Sequence, residues 1–92
     1  MITITELLKA DKATIVDVRT PGEFFGGNVV GSINIPLNEI PARLDEFKNM
    51  QHIVLCCASG GRSFQASMFL KQQGIDCLDA GSWLNVNNLK NN

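Results

Sequence analysis

An α/β fold, with a mostly parallel central sheet of about five strands and helices on both faces, is what this sequence predicts. Three observations lead there. Short β-branched runs, Thr14-Ile15-Val16-Asp17-Val18 foremost, read as strands covered on both sides. Segments with helix start and stop signals alternate with them. Polar or reactive residues gather past two strand ends, at Asp17-Val18-Arg19 and Cys56-Cys57, and open parallel sheets bind their ligands at that edge.

Taken in order, Ile2 and Ile4 predict a short edge strand, and Thr5 caps a brief helix through Ala10. The strand Thr14–Val18 follows. Thr20-Pro21-Gly22-Glu23 then starts a helix, with Thr20 as N-cap, Pro21 at the first helical position and Glu23 closing a capping box; Gly26-Gly27 stops it. Ser32-Ile33-Asn34-Ile35-Pro36 is a strand halted by its proline. Leu37, Ile40, Leu44 and Phe47 fall at helical spacing, so a helix covers much of Asn38 to Phe47. The strand His52–Cys56 leads through a Gly-rich turn to a helix from about Arg62 to Gln73. Ala66, Phe69 and Leu70 form the buried stripe of that helix, and Gly74 closes it. Ile75–Leu78 is a last strand, Ser82–Leu89 a terminal helix, and Lys90-Asn91-Asn92 a fraying tail.

At 92 residues the chain suits one domain spanning 1–92, and its 45% hydrophobic content is that of a globular domain. A net charge of -1 gives no ground for a nucleic-acid or membrane-surface partner. No apolar run is long enough to span a bilayer, and the first residues lack the basic and apolar regions of a signal peptide. Three cysteines, an odd count, read as free thiols in a reducing compartment, which makes the cytoplasm the expected location; nothing in the sequence suggests an obligate interface, so a monomer is the expected state.

The segment Cys56-Cys57-Ala58-Ser59-Gly60-Gly61-Arg62-Ser63 carries the chemistry. A cysteine at the end of a buried strand, before a tight turn and a helix N-terminus, meets inward-pointing amides, a partial positive charge and the full charge of Arg62. Such a thiol ionises well below its free value of about 8.5 and is a nucleophile at neutral pH. Cys57 is the candidate nucleophile. Cys56 ends the strand and points to the opposite face, where packing is the favoured reading, and Cys77 is core. His52 stands at the far end of the strand, about five residues or ~16 Å from Cys57, badly placed for a general base. The cysteines and His52 have no zinc-ligand spacing, so no metal is expected.

Other side chains suit two roles each. Arg62 fits either an anionic substrate or a carboxylate such as Glu23. Arg19 suits drawing in an anion or a surface ion pair. Asp17 is placed to accept loop hydrogen bonds, since a carboxylate beside the thiolate would oppose its ionisation. Ser59 and Ser63 suit donation to the sulfur or capping of the helix. Trp83 suits the mouth of a pocket or the closing of the core.

Together these segments resemble the rhodanese (sulfurtransferase) domain family. Asp17-Val18-Arg19-Thr20-Pro21-Gly22-Glu23-Phe24 is similar to its first signature and Gly31-Ser32-Ile33-Asn34-Ile35-Pro36 to the continuation. Cys57-Ala58-Ser59-Gly60-Gly61-Arg62-Ser63 resembles the active-site loop, and Asp79-Ala80-Gly81-Ser82-Trp83 looks more loosely like the Gly-rich segment near the end. The chain departs from the family at Gly27-Asn28-Val29, where a Gly-His-Ile is usual, and in having only Gly81 and an early Trp83 near its end.

The resemblance implies a rhodanese-like fold of the short single-domain type and a persulfide relay on Cys57, with no cofactor. Cys57 takes a sulfane sulfur from thiosulfate or a similar small-molecule donor and passes it to cyanide or a thiol, including a protein thiol. The loop Ala58, Ser59, Gly60, Gly61, Arg62 and Ser63 binds the substrate and the persulfide, and Asp17 and Arg19 support it. Two rivals stand beside this. A protein-to-protein sulfur carrier or partner-binding domain is one. A cysteine phosphatase or arsenate reductase is the other: its loop runs Cys, five residues, Arg, whereas Cys57 to Arg62 leaves four. Counting from Cys56 leaves five, but Leu55 then stands where such enzymes place a histidine.

Overall fold

The computed structural model describes residues 2–91. The elements run α1 (Ile4–Lys9), β1 (Thr14–Asp17), α2 (Pro21–Phe25), β2 (Ile33–Asn34), a 3₁₀ segment (Leu37–Arg43), α3 (Leu44–Lys48), β3 (Ile53–Cys57), α4 (Gly61–Gln72), β4 (Leu78–Ser82) and α5 (Trp83–Asn91). Four strands form one sheet in the order β2-β1-β3-β4, with every pairing parallel.

Strand alternation divides the core in two. Val16, Val18, Ile53, Leu55 and Cys57 face one layer, where Ala66 and Leu70 of α4 pack with Ile40 and Phe47. Ile15, Val54 and Cys56 face the other, against Leu7 and Leu8 of α1 and Val86 of α5. Parallel strands buried on both faces explain why β1 and β3 read as continuous apolar runs.

The expected edge strand at Ile2 and Ile4 does not form among the described residues, which is why the sheet has four strands rather than about five. Thr3 takes the N-cap instead of Thr5. Its hydroxyl accepts the Glu6 N–H at 3.1 Å while the Glu6 carboxylate accepts the Thr3 N–H at 3.3 Å, and this capping box draws Ile4 into the helix.

The last strand also moves. Ile75 and Cys77 turn into the core straight after α4, and the Ile75 N–H donates to the Leu70 carbonyl at 2.9 Å. Pairing with β3 therefore begins only at Leu78, and it runs on through Gly81, whose φ of 78° accommodates a shift of register between Leu55 and Cys57. Between β2 and β3 the helical pattern is met by the 3₁₀ segment, which contains Pro41, followed by the short α3. Lys90 and Asn91, expected to fray, belong to α5, and Asn92 lies outside the described residues.

Candidate active site

The carboxyl ends of β1 and β3 lie side by side, with Asp17 paired to Cys56, and the segments leaving them build the site. Cys57 is the last residue of β3, and α4 begins four residues later. Gly60 makes that turn possible with a left-handed φ of 108°, and it leads into α4 without a capping side chain.

The turn closes on the sulfur. The Gly60 N–H donates to Cys57 Sγ at 3.0 Å, and the thiol lies 3.5 Å from Ser63 Oγ, to which it donates. Ser63, itself buried, donates to the Gly60 carbonyl at 3.1 Å and approaches that of Gly81 at 3.5 Å, tying loop, helix and β4 together. Cys57 is fully buried beneath these groups. Burial pushes its thiol up, but hydrogen bonds from the Ser63 hydroxyl and from the amides of Ser63, Gly60 and Ser59 outweigh this and hold it below its ordinary value.

Cys56 is the contrary case. It packs in the opposite layer with Ala80 and Val86, and burial, reinforced by the charge of Asp17, pushes its thiol up to about 12. A loop counted from Cys56 therefore has its sulfur on the wrong side of the sheet.

Both arginines at this edge are held by carboxylates. Arg62 forms a two-pronged pair with Glu23, Nη1 to Oε1 at 2.7 Å and Nη2 to Oε2 at 2.9 Å. Glu23 accepts as well from the Thr20 amide and hydroxyl, and the Arg62 guanidinium with these bonds lowers its carboxyl to about 2. Arg19 is neither on the surface nor open to an anion. It is buried, its Nε lies 2.9 Å from both oxygens of the buried Asp17, and its Nη2 donates to Asp17 at 2.7 Å. The same guanidinium donates to the Gly27 carbonyl at 2.7 Å and stacks 4.7 Å from the ring centre of Trp83.

Asn34 was not singled out by the sequence, yet its side-chain amide donates to the carbonyls of Asp17 and Arg19 at 3.0 and 2.9 Å and fixes the chain leaving β1. Its place in a β-strand beside a strand end was the available signal. A groove of about 280 Å³ opens on this edge, lined by Val18, Thr20, Pro36, Leu37, Asn38 and Arg62. The larger hollow of about 730 Å³, bounded by His52, Asp76 and Cys77 among others, lies at the amino ends of the strands, away from the loop. No helix among the described residues is long and apolar enough to cross a membrane.

Comparison with known proteins bears on the family and the fold. The sequence model of the Rhodanese-like domain family matches residues 3–89. A sulfurtransferase of Allochromatium vinosum is 37% identical over 68 residues, covering 74% of this chain and 64% of the relative. A chloroplastic thiosulfate sulfurtransferase of Arabidopsis thaliana is 35% identical over 72 residues, covering 65% of this chain and 60% of its own length. The chain thus spans less than two thirds of either relative. Among solved structures, a rhodanese-related protein from Thermoplasma volcanium superposes with a TM-score of 0.79 at 31% identity, covering 95% of this chain and 88% of that one.

Proposed function

We propose that this chain, which belongs to the rhodanese-like domain family, is a sulfurtransferase that moves a sulfane sulfur through a persulfide on Cys57. The donor is thiosulfate or a similar sulfane compound, and the acceptor is cyanide or a thiol. The Cys57 thiolate attacks the outer sulfur of the donor. The donor's sulfur–sulfur bond breaks, sulfite leaves with the bonding pair, and Cys57 keeps the transferred sulfur as a persulfide anion. The acceptor then attacks that outer sulfur, leaving as thiocyanate or a new persulfide, and the Cys57 thiolate is restored. No proton needs to move, so the absence of a nearby histidine is no obstacle.

The observation that carries this reading is the hold on Cys57 Sγ, with an amide at 3.0 Å and a hydroxyl at 3.5 Å, in a loop that leaves four residues between Cys57 and Arg62, one fewer than the phosphatase type. The same amides suit a persulfide, whose outer sulfur carries the charge about 2 Å further out. Ala58, Ser59, Gly60, Gly61, Arg62 and Ser63 form the binding loop in this proposal. Asp17 and Arg19 support it from beneath.

Intact-mass measurement tests the assignment. After incubation with excess thiosulfate or inorganic polysulfide, the protein should gain one sulfur, about 32 Da, and lose it to cyanide. The gain should persist in Cys56→Ser and vanish in Cys57→Ser. No gain with either donor, or a gain that follows Cys56, overturns the proposal.

A further inference from the structure

The cations of this chain are distributed unevenly over the two edges of the sheet. Lys9 and Lys12 lie just before β1, Lys48 ends the helix before β3, Lys71 ends α4, and Lys90 ends α5 with its ammonium on the Val30 carbonyl. All five lysines therefore sit toward the amino ends of the strands. Arg43 is taken up by Glu39 and Glu46. Among the described residues, only Arg19 and Arg62 remain at the edge that carries Cys57, and each is engaged by a carboxylate, Asp17 or Glu23.

Two cations, each already paired with a carboxylate, beside a thiolate make a poor reception for a dianion such as thiosulfate. The groove beside Arg62 is suited to something else. Val18, Pro36 and Leu37 give it apolar walls, and its polar members are Thr20, Asn38 and the already neutralised Arg62.

We infer that Glu23 is a specificity-determining residue: by occupying Arg62 it turns the site away from the thiosulfate dianion and toward a small organic persulfide, R–S–SH, whose apolar R group lies in the Val18–Pro36–Leu37 groove. This rests on the persulfide relay proposed above. In the transfer, the Cys57 thiolate attacks the outer sulfur of R–S–SH, the donor's sulfur–sulfur bond breaks, and R–S⁻ leaves with the bonding pair. The outer sulfur and its proton stay on Cys57, so no external oxidant or reductant enters. Glu23 touches neither the sulfur nor the donor in this scheme; it acts through Arg62.

Glu23→Gln separates charge from structure, since glutamine at the third helical position still completes the Thr20 capping box. The measurement is kcat and KM for sulfur transfer to cyanide, with thiosulfate and with benzyl persulfide as donors. The unmutated protein should prefer benzyl persulfide. In Glu23→Gln the ratio of kcat/KM for thiosulfate to that for benzyl persulfide should rise at least tenfold, chiefly through a lower KM for thiosulfate. Adding Arg62→Gln to Glu23→Gln should return the ratio to within threefold of its starting value, because the freed cation is gone. A merely structural Glu23 would depress both donors together.

An unchanged ratio in Glu23→Gln, or a raised ratio that survives loss of Arg62, overturns the inference. A KM for 2-hydroxyethyl persulfide equal to that for benzyl persulfide removes the groove from it. Failure of the unmutated protein to take sulfur from any of these donors is a different result and defeats the persulfide relay itself.

Discussion

Cys56 and Cys57 are neighbours in sequence with opposite surroundings, and one step of strand alternation is the cause. Cys56 meets apolar side chains and the charge of Asp17; Cys57 meets amides and a hydroxyl. Ser63 is the side chain that separates the two environments most, because its hydroxyl turns to donate once the thiol ionises. Ser63→Ala should therefore raise the pH at which Cys57 ionises, followed by thiolate absorbance, and slow sulfur loading at neutral pH. The sign follows from the reactive species. Loading needs the thiolate, so its rate falls as pH drops through the Cys57 pKa, and raising that pKa moves the fall to higher pH. Ser63→Thr, which keeps a hydroxyl, should restore part of the effect. The loop was legible in the sequence because a strand, a short Gly-rich turn and a helix start leave few places for the sulfur to go. The burial of Arg19 was not. A charged residue past a strand end reads as exposed, and only the carboxylate two residues earlier, on the same face of the chain, explains how Arg19 is held inside.

Elements this short depend on their ends. α2 spans Pro21–Phe25 and buries none of its residues, so packing contributes little to it and the Thr20–Glu23 capping box holds it. Removing the hydroxyl by Thr20→Ala should cost about 1 kcal/mol, read from the midpoint of urea unfolding. The glycines opening α4 behave differently from each other. Gly60 has φ of 108° and faces Gly81, so Gly60→Ala should cost about 1 kcal/mol or more and slow persulfide formation severalfold. Gly61 is already helical with open space where a Cβ would stand, so Gly61→Ala should raise stability by about 0.5–1 kcal/mol in the same unfolding experiment. The α2 signals were complete in the sequence and the helix formed as expected. For α1 the two isoleucines suggested alternation, but two residues cannot outweigh a Thr3-Ile4-Thr5-Glu6 capping box that satisfies helix amides directly. The last strand was expected at Ile75–Leu78 and forms at Leu78–Ser82, because the pairing partner that makes Asp79-Ala80-Gly81 a strand lies over twenty residues earlier in β3, beyond any local pattern.

Across the whole molecule, one polar unit crosses the interior. Asp17 ends β1 with no exposed surface, Arg19 folds back onto it, and the guanidinium reaches the Gly27 carbonyl after α2 and the Trp83 ring at the start of α5. Gly27 leaves Trp83 its room, since a Cβ there would come within 3.1 Å of the indole. The chain leaving β1 is thus tied to the segment after α2 and to the start of α5 by a buried ion pair. Removing one partner leaves the other charged and unpaired in the interior, which costs about 3–5 kcal/mol, much of the stability of a domain this size. Asp17→Asn and Arg19→Met should each lower the unfolding free energy by that much, read from urea unfolding. The double variant Asp17→Asn/Arg19→Met should lose clearly less than the sum of the two, because neither charge then remains stranded. Strict additivity in this cycle would mean that the two side chains stabilise the fold separately. If the pair is structural, each variant should still load sulfur on Cys57 in proportion to its folded fraction. A loss of loading beyond that fraction would place Arg19 in the donor site instead.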